Sequence, residues 1–410
     1  MPYFSPANIL IPNVADLQAW SVVACDQFTS EPEYWEQVRR RVGAEPSTLN
    51  MILPEAELGT KDQEIEYRKI NATMQKYLAD GIFAEYPDSY VLTERTLSDG
   101  SVRRGIIGAI DLEMYDYSAN SCSAIRATEH TVEDRLPPRV KIRMGASLEL
   151  PHIMVFVDDA ENKLMASASK GELLYDFELM QGGGHIRGWR VADNSAVEDA
   201  FSYLADAETL KRKYSCGKNA IVIAIGDGNH SIAAAKKYWD SIKSALPEGE
   251  RACHPARFAL AELVNIHDDA IVFEPIHKVI FDTDPSGFIA SLENHFGTAY
   301  DGGKTIRAIS GDDERVISVG SLPLGKLIDE CENLCKAHAS AHGGTIDYIH
   351  GDAECEEMSR RRGCCGIMLP KMDKSELFTS VMASGPFPKK SFSIGLGCDK
   401  RYYLECRKIK

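Results

Sequence analysis

Apolar and polar positions repeat along the chain with two periods, and the switches between them divide it into elements. Residues 221–225 (IVIAI) are a short, continuous apolar run rich in β-branched side chains, which predicts a strand buried on both faces. Gly226-Asp227-Gly228 forces a tight turn behind it. Across 231–246, Ile232, Ala235, Tyr238, Trp239 and Ile242 then recur at helical spacing. Strand, glycine turn and helix in succession bring backbone N–H groups and the positive end of a helix dipole to one place, with Asp227, Asn229, His230 and Ser231 around it. Such an end suits a phosphate or a carboxylate. The same residues also fit an ordinary strand-to-helix turn capped by Asn229.

Toward the start, residues 1–25 read as extended, with a strand over 20–24 delivering Cys25-Asp26 to its end. Residues 33–42 predict a helix after Pro32. Residues 61–80 predict a longer one, with Ile65, Ile70, Met74, Tyr77 and Leu78 facing inward and Gly81 stopping it. Asp99-Gly100, between alternating runs at 90–97 and 102–110, predicts a hairpin. Strands at 153–157 and 164–168 are expected to pair, 172–181 reads as helical, and 197–214 reads as one amphipathic helix with Ser195 as its cap. Residues 182–185 (GGGH) read as a flexible loop, and the longer stretch 182–189 (GGGHIRGW) fits no element of the pattern.

A composition shift near 247–255 marks a second half, opened by an apolar strand at 258–266. Strands at 315–319, 345–349 and 366–369 alternate there with helices at 288–296, 353–362 and 374–383, and Leu324 to His338 form one long apolar stripe. The tail is expected to fold into a hairpin of 392–396 with 402–407. The fold class that follows is α+β: a first domain at 1–250, an α/β second domain at 251–383, and a C-terminal segment, 384–410, packing back on the first.

Charge narrows the range of partners. With 61 acidic against 46 basic residues the chain carries a formal −15, which argues against nucleic acid, whose binding needs clustered Lys and Arg. Arg360-Arg361-Arg362 and Lys389-Lys390 are only short basic patches, and the arginine run reads as solvated surface. No run approaches the roughly 18 apolar residues of a membrane span. The start lacks a basic region followed by a long apolar stretch, so no secretory signal is read there. Eleven scattered cysteines then read as free thiols in a reducing cytoplasm.

A second candidate site is the polar segment 126–135, where Arg126, Glu129, His130, Glu133, Asp134 and Arg135 fall within ten residues. Pro137-Pro138 is expected to interrupt any helix there. A Glu can deprotonate a nucleophile and an Arg can stabilise phosphoryl oxygens, although an exposed pair of this kind is commonly only solvated. His130 and Asp134 lack the further ligands of a dedicated metal site. A Mg²⁺ held mostly by phosphates, with one carboxylate from Asp227 or Glu129, would leave almost no trace in the sequence. Cys331 and Cys335 belong to the apolar stripe and are better explained as core, and no structural zinc is expected. Walker, HExxH, GxSxG and protein-kinase patterns are absent.

Three segments, in order, carry a resemblance. They are Ile125-Arg126-Ala127-Thr128-Glu129-His130-Thr131 with Asp134-Arg135 behind it, Gly226-Asp227-Gly228-Asn229-His230-Ser231 ending a strand, and Pro388-Lys389-Lys390-Ser391-Phe392. Together they resemble the IRPTE-x-T, ADGHHR and PPKST segments of a bacterial and archaeal family known as domain of unknown function 1015. Asn229 stands where that family usually has His and Ser231 where it usually has Arg, so a bidentate phosphate clamp is lost. The turn is also similar to that of the ParB/sulfiredoxin-like superfamily, which binds nucleotide phosphates there and includes a free-serine kinase using ADP. That resemblance implies a mixed-sheet core, with the C-terminal hairpin returning to the site, and phosphoryl chemistry on a nucleotide, with serine or phosphoserine as one substrate option. On it, Glu129, His230 and Asp227 are catalytic. Arg126, Thr131, Gly226, Gly228, Asn229, Ser231, Lys389, Lys390 and Ser391 hold phosphate or nucleotide, ATP or ADP with Mg²⁺. The alternative it also implies is a nucleotide-binding regulatory protein without turnover.

Overall fold

The Asp99-Gly100 turn sets the register of the largest sheet. Gly100 takes φ +85°, and the strands it joins, β1 (Val91–Thr96) and β2 (Val102–Asp111), pair antiparallel from Thr96↔Val102 to Val91↔Ile107. In chain order there follow β3 (Ile125–Ala127), α1 (Leu136–Gly145), β4 (Met154–Val157), β5 (Lys170–Glu178) and β6 (His185–Val191). The last elements needed are β7 (Ile223–Asp227), α2 (Asn229–Ile242) and β8 (Phe258–Asn265). The structure, a computed structural model, describes residues 3–58, 62–150, 153–215, 219–297 and 303–410. Among these the sheet has ten strands, ordered β5-β6-β1-β2-β8-β4-β7-β3 with Tyr115–Asp116 at the end and Phe4–Ser5 beside β2. Parallel pairs β8/β4 and β7/β3 sit among antiparallel ones, so the sheet is mixed, as expected for an α+β chain.

Period-two alternation divides the two faces. Ile107 and Leu260 point into one core with Trp20, Trp35, Ile70, Met74 and Tyr77, whereas Ile106, Ile110, Val155, Ile223 and Ile225 face Phe201, Ile232 and Trp239 in the other. This sheet belongs to the first of two units, made of Met1–Ala127, Thr131–Ile271 and Leu396–Lys410; the second comprises Thr128–His130 and Val272–Gly395. Residues 251–271, placed by the sequence in the second half, therefore lie in the first unit. The reason is β8, whose edges are taken by β2 and β4.

Several local expectations give way to non-local pairing or to caps. Residues 17–20, not 20–24, form the element near Trp20: a short helix whose Asp16 carboxylate accepts the Ala19 N–H. Residues 172–181 fall largely in strand β5, and the unassigned 182–189 makes the turn and first half of β6, with Gly184 at φ +73° lying where a Cβ would meet the Thr96 carbonyl. Leu164 sits in the helix Lys163–Ser167, where Asp159 accepts its N–H, so β4 pairs with β7 and β8 instead. Two helices, Asn194–Leu204 capped by Asp193 and Ala207–Tyr214 capped by Asp206, replace the single one over 197–214. Pro137-Pro138 does not interrupt a helix but opens α1, where the missing proline N–H groups are unneeded. Residue 61 lies outside the described residues; the helix there runs Gln63–Ala79 from an Asp62 cap, and Ile65 on it is exposed rather than inward.

In the second unit, Phe273–Phe281 pairs with Thr345–His350, Cys365–Met368 and Phe392–Ile394, and Lys304–Ser310 joins Cys365–Met368 to Asp313–Gly320. Val279, Ile309, Ile349, Cys355 and Met368 share its core, and Cys331 and Cys335 are buried on the helix Leu324–His342. The tail forms no hairpin. Phe392–Ile394 stays in this unit, while Arg407–Lys408 pairs with Leu148–Glu149 in the first. Among the described residues no helix is long and apolar enough to cross a membrane.

Candidate functional site

Strands β7 and β3 run parallel with Ile225 opposite Ala127, so their carboxyl ends lie side by side at one edge of the first unit's sheet. Ligands of open α/β sheets collect at such ends. Beyond β7 the chain turns through Gly228, which takes φ +80° and stands as the N-cap of α2. A glycine at that position supplies no side-chain cap to α2. The helices starting at Leu17, Gln63, Asn194 and Ala207 differ, each with an Asp carboxylate on its first N–H groups. Asn229, expected as a cap, is the first helical residue instead.

The side chains around this end are arranged for charge. Asp227 accepts the Gly228 N–H at 2.8 Å through Oδ1, and its Oδ2 lies 3.0 Å from Lys400 Nζ, both side chains being about four-fifths buried at 20% and 16% exposure. Val132 N–H donates to His230 Nε2 at 3.3 Å, so in the neutral ring the proton resides on Nδ1. Two polar atoms here make no hydrogen bond although buried: Asn229 Oδ1 and Thr131 Oγ1. Unmet buried groups of this kind cost stability. Gly226 is needed for close approach, because a Cβ there would stand 2.4 Å from the Phe156 ring.

Arg126 sits within the sheet, 4% exposed, with Nε donating to the Ser123 carbonyl at 2.7 Å and Nη2 to the Asn219 carbonyl at 2.6 Å. Its guanidinium braces the chain entering β3 and β7. Ser231 lies in the first turn of α2, its N–H bonded to the Gly228 carbonyl. Glu133 pairs with Lys237 at 2.8 Å, and that hydrogen bond, more than the small opposing effect of burial, holds its carboxyl below the usual range. Asp134 and Arg135 are exposed, in keeping with a solvated stretch.

The remaining predicted residues belong to the second unit. Glu129 is half-buried and bridges the backbone of Phe387, flanked by Phe387 N–H to Thr128 O at 2.7 Å and His130 N–H to Phe387 O at 3.0 Å. Lys389 is exposed, and Lys390 takes φ +56° with its Nζ 4.7 Å from the Tyr348 ring centre. Ser391 is buried and donates to the Pro388 carbonyl at 2.7 Å. Lys400 is the residue that sequence reasoning missed. Residues 397–400 read only as a turn, and nothing local signals that the returning tail sets a cation on Asp227. Among the described residues no group of three or more His, Cys, Asp or Glu could hold a metal ion.

Comparison with solved structures finds several likenesses, among them three. A free serine kinase in complex with AMP is 11% identical over 73% of this chain and 91% of that one, with a TM-score of 0.36. A conserved hypothetical protein from Pyrococcus furiosus is 10% identical over 73% and 94%, also at 0.36. SbnI with a C-terminal truncation, from Staphylococcus aureus, is 10% identical over 70% and 83%, again at 0.36. No curated protein matches. At such TM-scores the function must be argued from the site itself. The sequence motifs are firmer: the family model matches residues 6–408, and the chain belongs to the family described as protein of unknown function, DUF1015.

Proposed function

We propose that the turn from Gly226 to Ser231 binds the phosphate groups of a nucleotide or small phosphorylated metabolite, and that the protein transfers a phosphoryl group between them. The observation that carries this reading is the uncapped start of α2 beside the Asp227–Lys400 pair. A helix end without a side-chain cap suits an anion by its dipole and donors, and a lysine beside it, paired with Asp227, adds a further N–H donor. The Thr131 hydroxyl, buried and making no hydrogen bond, offers a further donor. Phosphoryl transfer asks for little beyond such positioning and charge neutralisation.

Within this reading Asp227 and His230 orient the acceptor and the phosphate oxygens. Glu129 as base, and Arg126, Lys389, Lys390 and Ser391 as phosphate partners, rest on the family motifs in the sequence. Serine or phosphoserine as the other substrate, and ATP or ADP as the nucleotide, rest on the same resemblance, while a cytoplasmic setting rests on the scattered cysteines. Mg²⁺ fits only as an ion carried in by the nucleotide, since Asp227 is already neutralised by Lys400 and the donor set falls short of a cage.

The test is direct. The protein is mixed with ADP or ATP, Mg²⁺ and L-serine, or with O-phosphoserine alone, and phosphorus NMR follows the products. Transfer that Glu129→Gln abolishes is the expected outcome. Lys400→Met should weaken ADP binding about tenfold, the worth of one charge-assisted hydrogen bond. Binding without product identifies the regulatory alternative; no binding, or binding indifferent to Lys400, refutes the site.

A further inference from the structure

Behind the first turn of α2 lies a pocket of about 150 Å³, wholly within the first unit. Its walls are chiefly apolar, from Met51, Leu53, Met74, Ile142 and Leu148, and Ser231 and Ala234 of α2 close one side. Buried charge stands at another wall. Arg143 Nη2 contacts Glu149 Oε2 at 2.6 Å, but Glu149 Oε1 already accepts Arg407 Nε at 2.8 Å and the Leu260 N–H at 2.8 Å. Two guanidinium groups thus share one carboxylate, which leaves this trio one positive charge in excess. Arg143 Nε, moreover, is buried and makes no hydrogen bond.

A small, largely apolar pocket, lined also by the ion pair of Arg139 with Glu55 and by Arg143 with the carboxylate it shares, calls for a ligand of matching chemistry. Apolar walls exclude a sugar or a polyol, whose hydroxyls would go unmet. The excess positive charge and the unpartnered N–H both ask for an anionic acceptor, and a planar carboxylate matches the geometry of a guanidinium. A cavity of this volume takes about six non-hydrogen atoms, the size of benzene. We infer that this pocket is a binding site for a short-chain aliphatic carboxylate, its hydrocarbon end among Met51, Leu53, Met74 and Leu148 and its carboxylate on Arg143. The inference goes beyond phosphate binding at the turn and needs no nucleotide.

Calorimetric titration with 3-methylbutanoate, 3-methylbutan-1-ol and 3-methylbutan-1-amine tests it. The carboxylate should bind at least tenfold more tightly than the alcohol, and the amine should show no binding. Ala146→Leu fills the pocket from its wall without touching an ion pair and should weaken the carboxylate at least tenfold. Arg143→Gln should remove the preference of acid over alcohol. Because Arg143→Gln also disturbs Glu149, the Ala146→Leu variant keeps the test valid if the former unfolds. ADP titrated into the same samples reports separately on the turn, and Ala146→Leu should leave it unchanged. Absence of saturable carboxylate binding, equal binding of acid and alcohol, or indifference to Ala146→Leu overturns the inference, whatever ADP does.

Discussion

Replacing Gly226 by Ala probes the floor of the turn before α2 with a single methyl group. Its Cβ would stand 2.4 Å from Phe156 Cε2, 2.8 Å from Cζ and 2.9 Å from Cδ2. Carbon atoms in ordinary contact are about 3.5–4.0 Å apart, so the nearest overlap is about 1.1–1.6 Å. Phe156 is fully buried on β4, between β7 and β8. Overpacking of this severity costs about 1–3 kcal/mol, while the stiffer unfolded chain of the Ala variant offsets about 0.4–1 kcal/mol of it. A net loss of about 1–2 kcal/mol is therefore expected. Phe156→Leu alone should also destabilise, but combined with Gly226→Ala it vacates the space the methyl needs. The double variant should be more stable than the sum of the singles predicts by at least about 1 kcal/mol.

Urea unfolding followed by tryptophan fluorescence reads this out cleanly. All four tryptophans, Trp20, Trp35, Trp189 and Trp239, lie in the first unit, so the signal reports on the unit that holds the turn. The same variants should weaken ADP binding in step with the strain. Additive costs, or a Gly226→Ala protein as stable as the parent, would show that the ring does not support the turn.

Glu262, 2% exposed, lies 3.3 Å from Arg103 and 3.5 Å from Arg401, so Glu262→Gln should cost about 3 kcal/mol in the same urea assay by stranding the buried Arg103 guanidinium and leaving Arg401 with Glu405 alone; a loss within error of zero refutes the network. Burial alone would raise the carboxyls of Glu262 and Glu149, but Arg103 and Arg401 on one, and Arg407 and Arg143 on the other, outweigh it and hold both below 4.5. A depressed folded value means stability is complete above the unfolded range and lost as pH falls through the folded one, so the urea midpoint should drop steadily below about pH 4. An unchanged midpoint from pH 7 to pH 3 contradicts this. Burial, followed by the neighbouring Asp26, pushes the Cys25 thiol up to about 11, so iodoacetamide at pH 8 should label exposed Cys122 and Cys253 well before Cys25, as read by peptide mass mapping. Equal labelling rates would place Cys25 in another environment.

Local rules were sufficient wherever one element carries its own signal. The Asp99-Gly100 hairpin, the helix Pro32–Val42 behind its proline, and the succession of β7, Gly228 and α2 all follow from turn chemistry and apolar period within about twenty residues. The family segments around Glu129, Asp227 and Lys390 were legible for the same reason. Partner choice was not. Residues 172–178 (ELLYDFE) satisfy a helical spacing and a strand alternation at once, and only the edge offered by β6 decides for a strand. Pro137-Pro138 can break a helix or begin one, and α1 begins there because its Leu136 is buried and the first turn needs no proline donor. Lys400 reaches Asp227 across 173 residues, Arg407 reaches Glu149 across 258, and the β8 strand enters the first unit through pairing with β2 and β4. Contacts so distant leave no trace in a short window, because nothing in either segment states which other segment will supply its missing charge or edge. The chain by itself therefore determined the elements that carry their own signal and the glycine turn before α2, while tertiary folding alone decided which cation pairs with Asp227 there and what lies behind the turn.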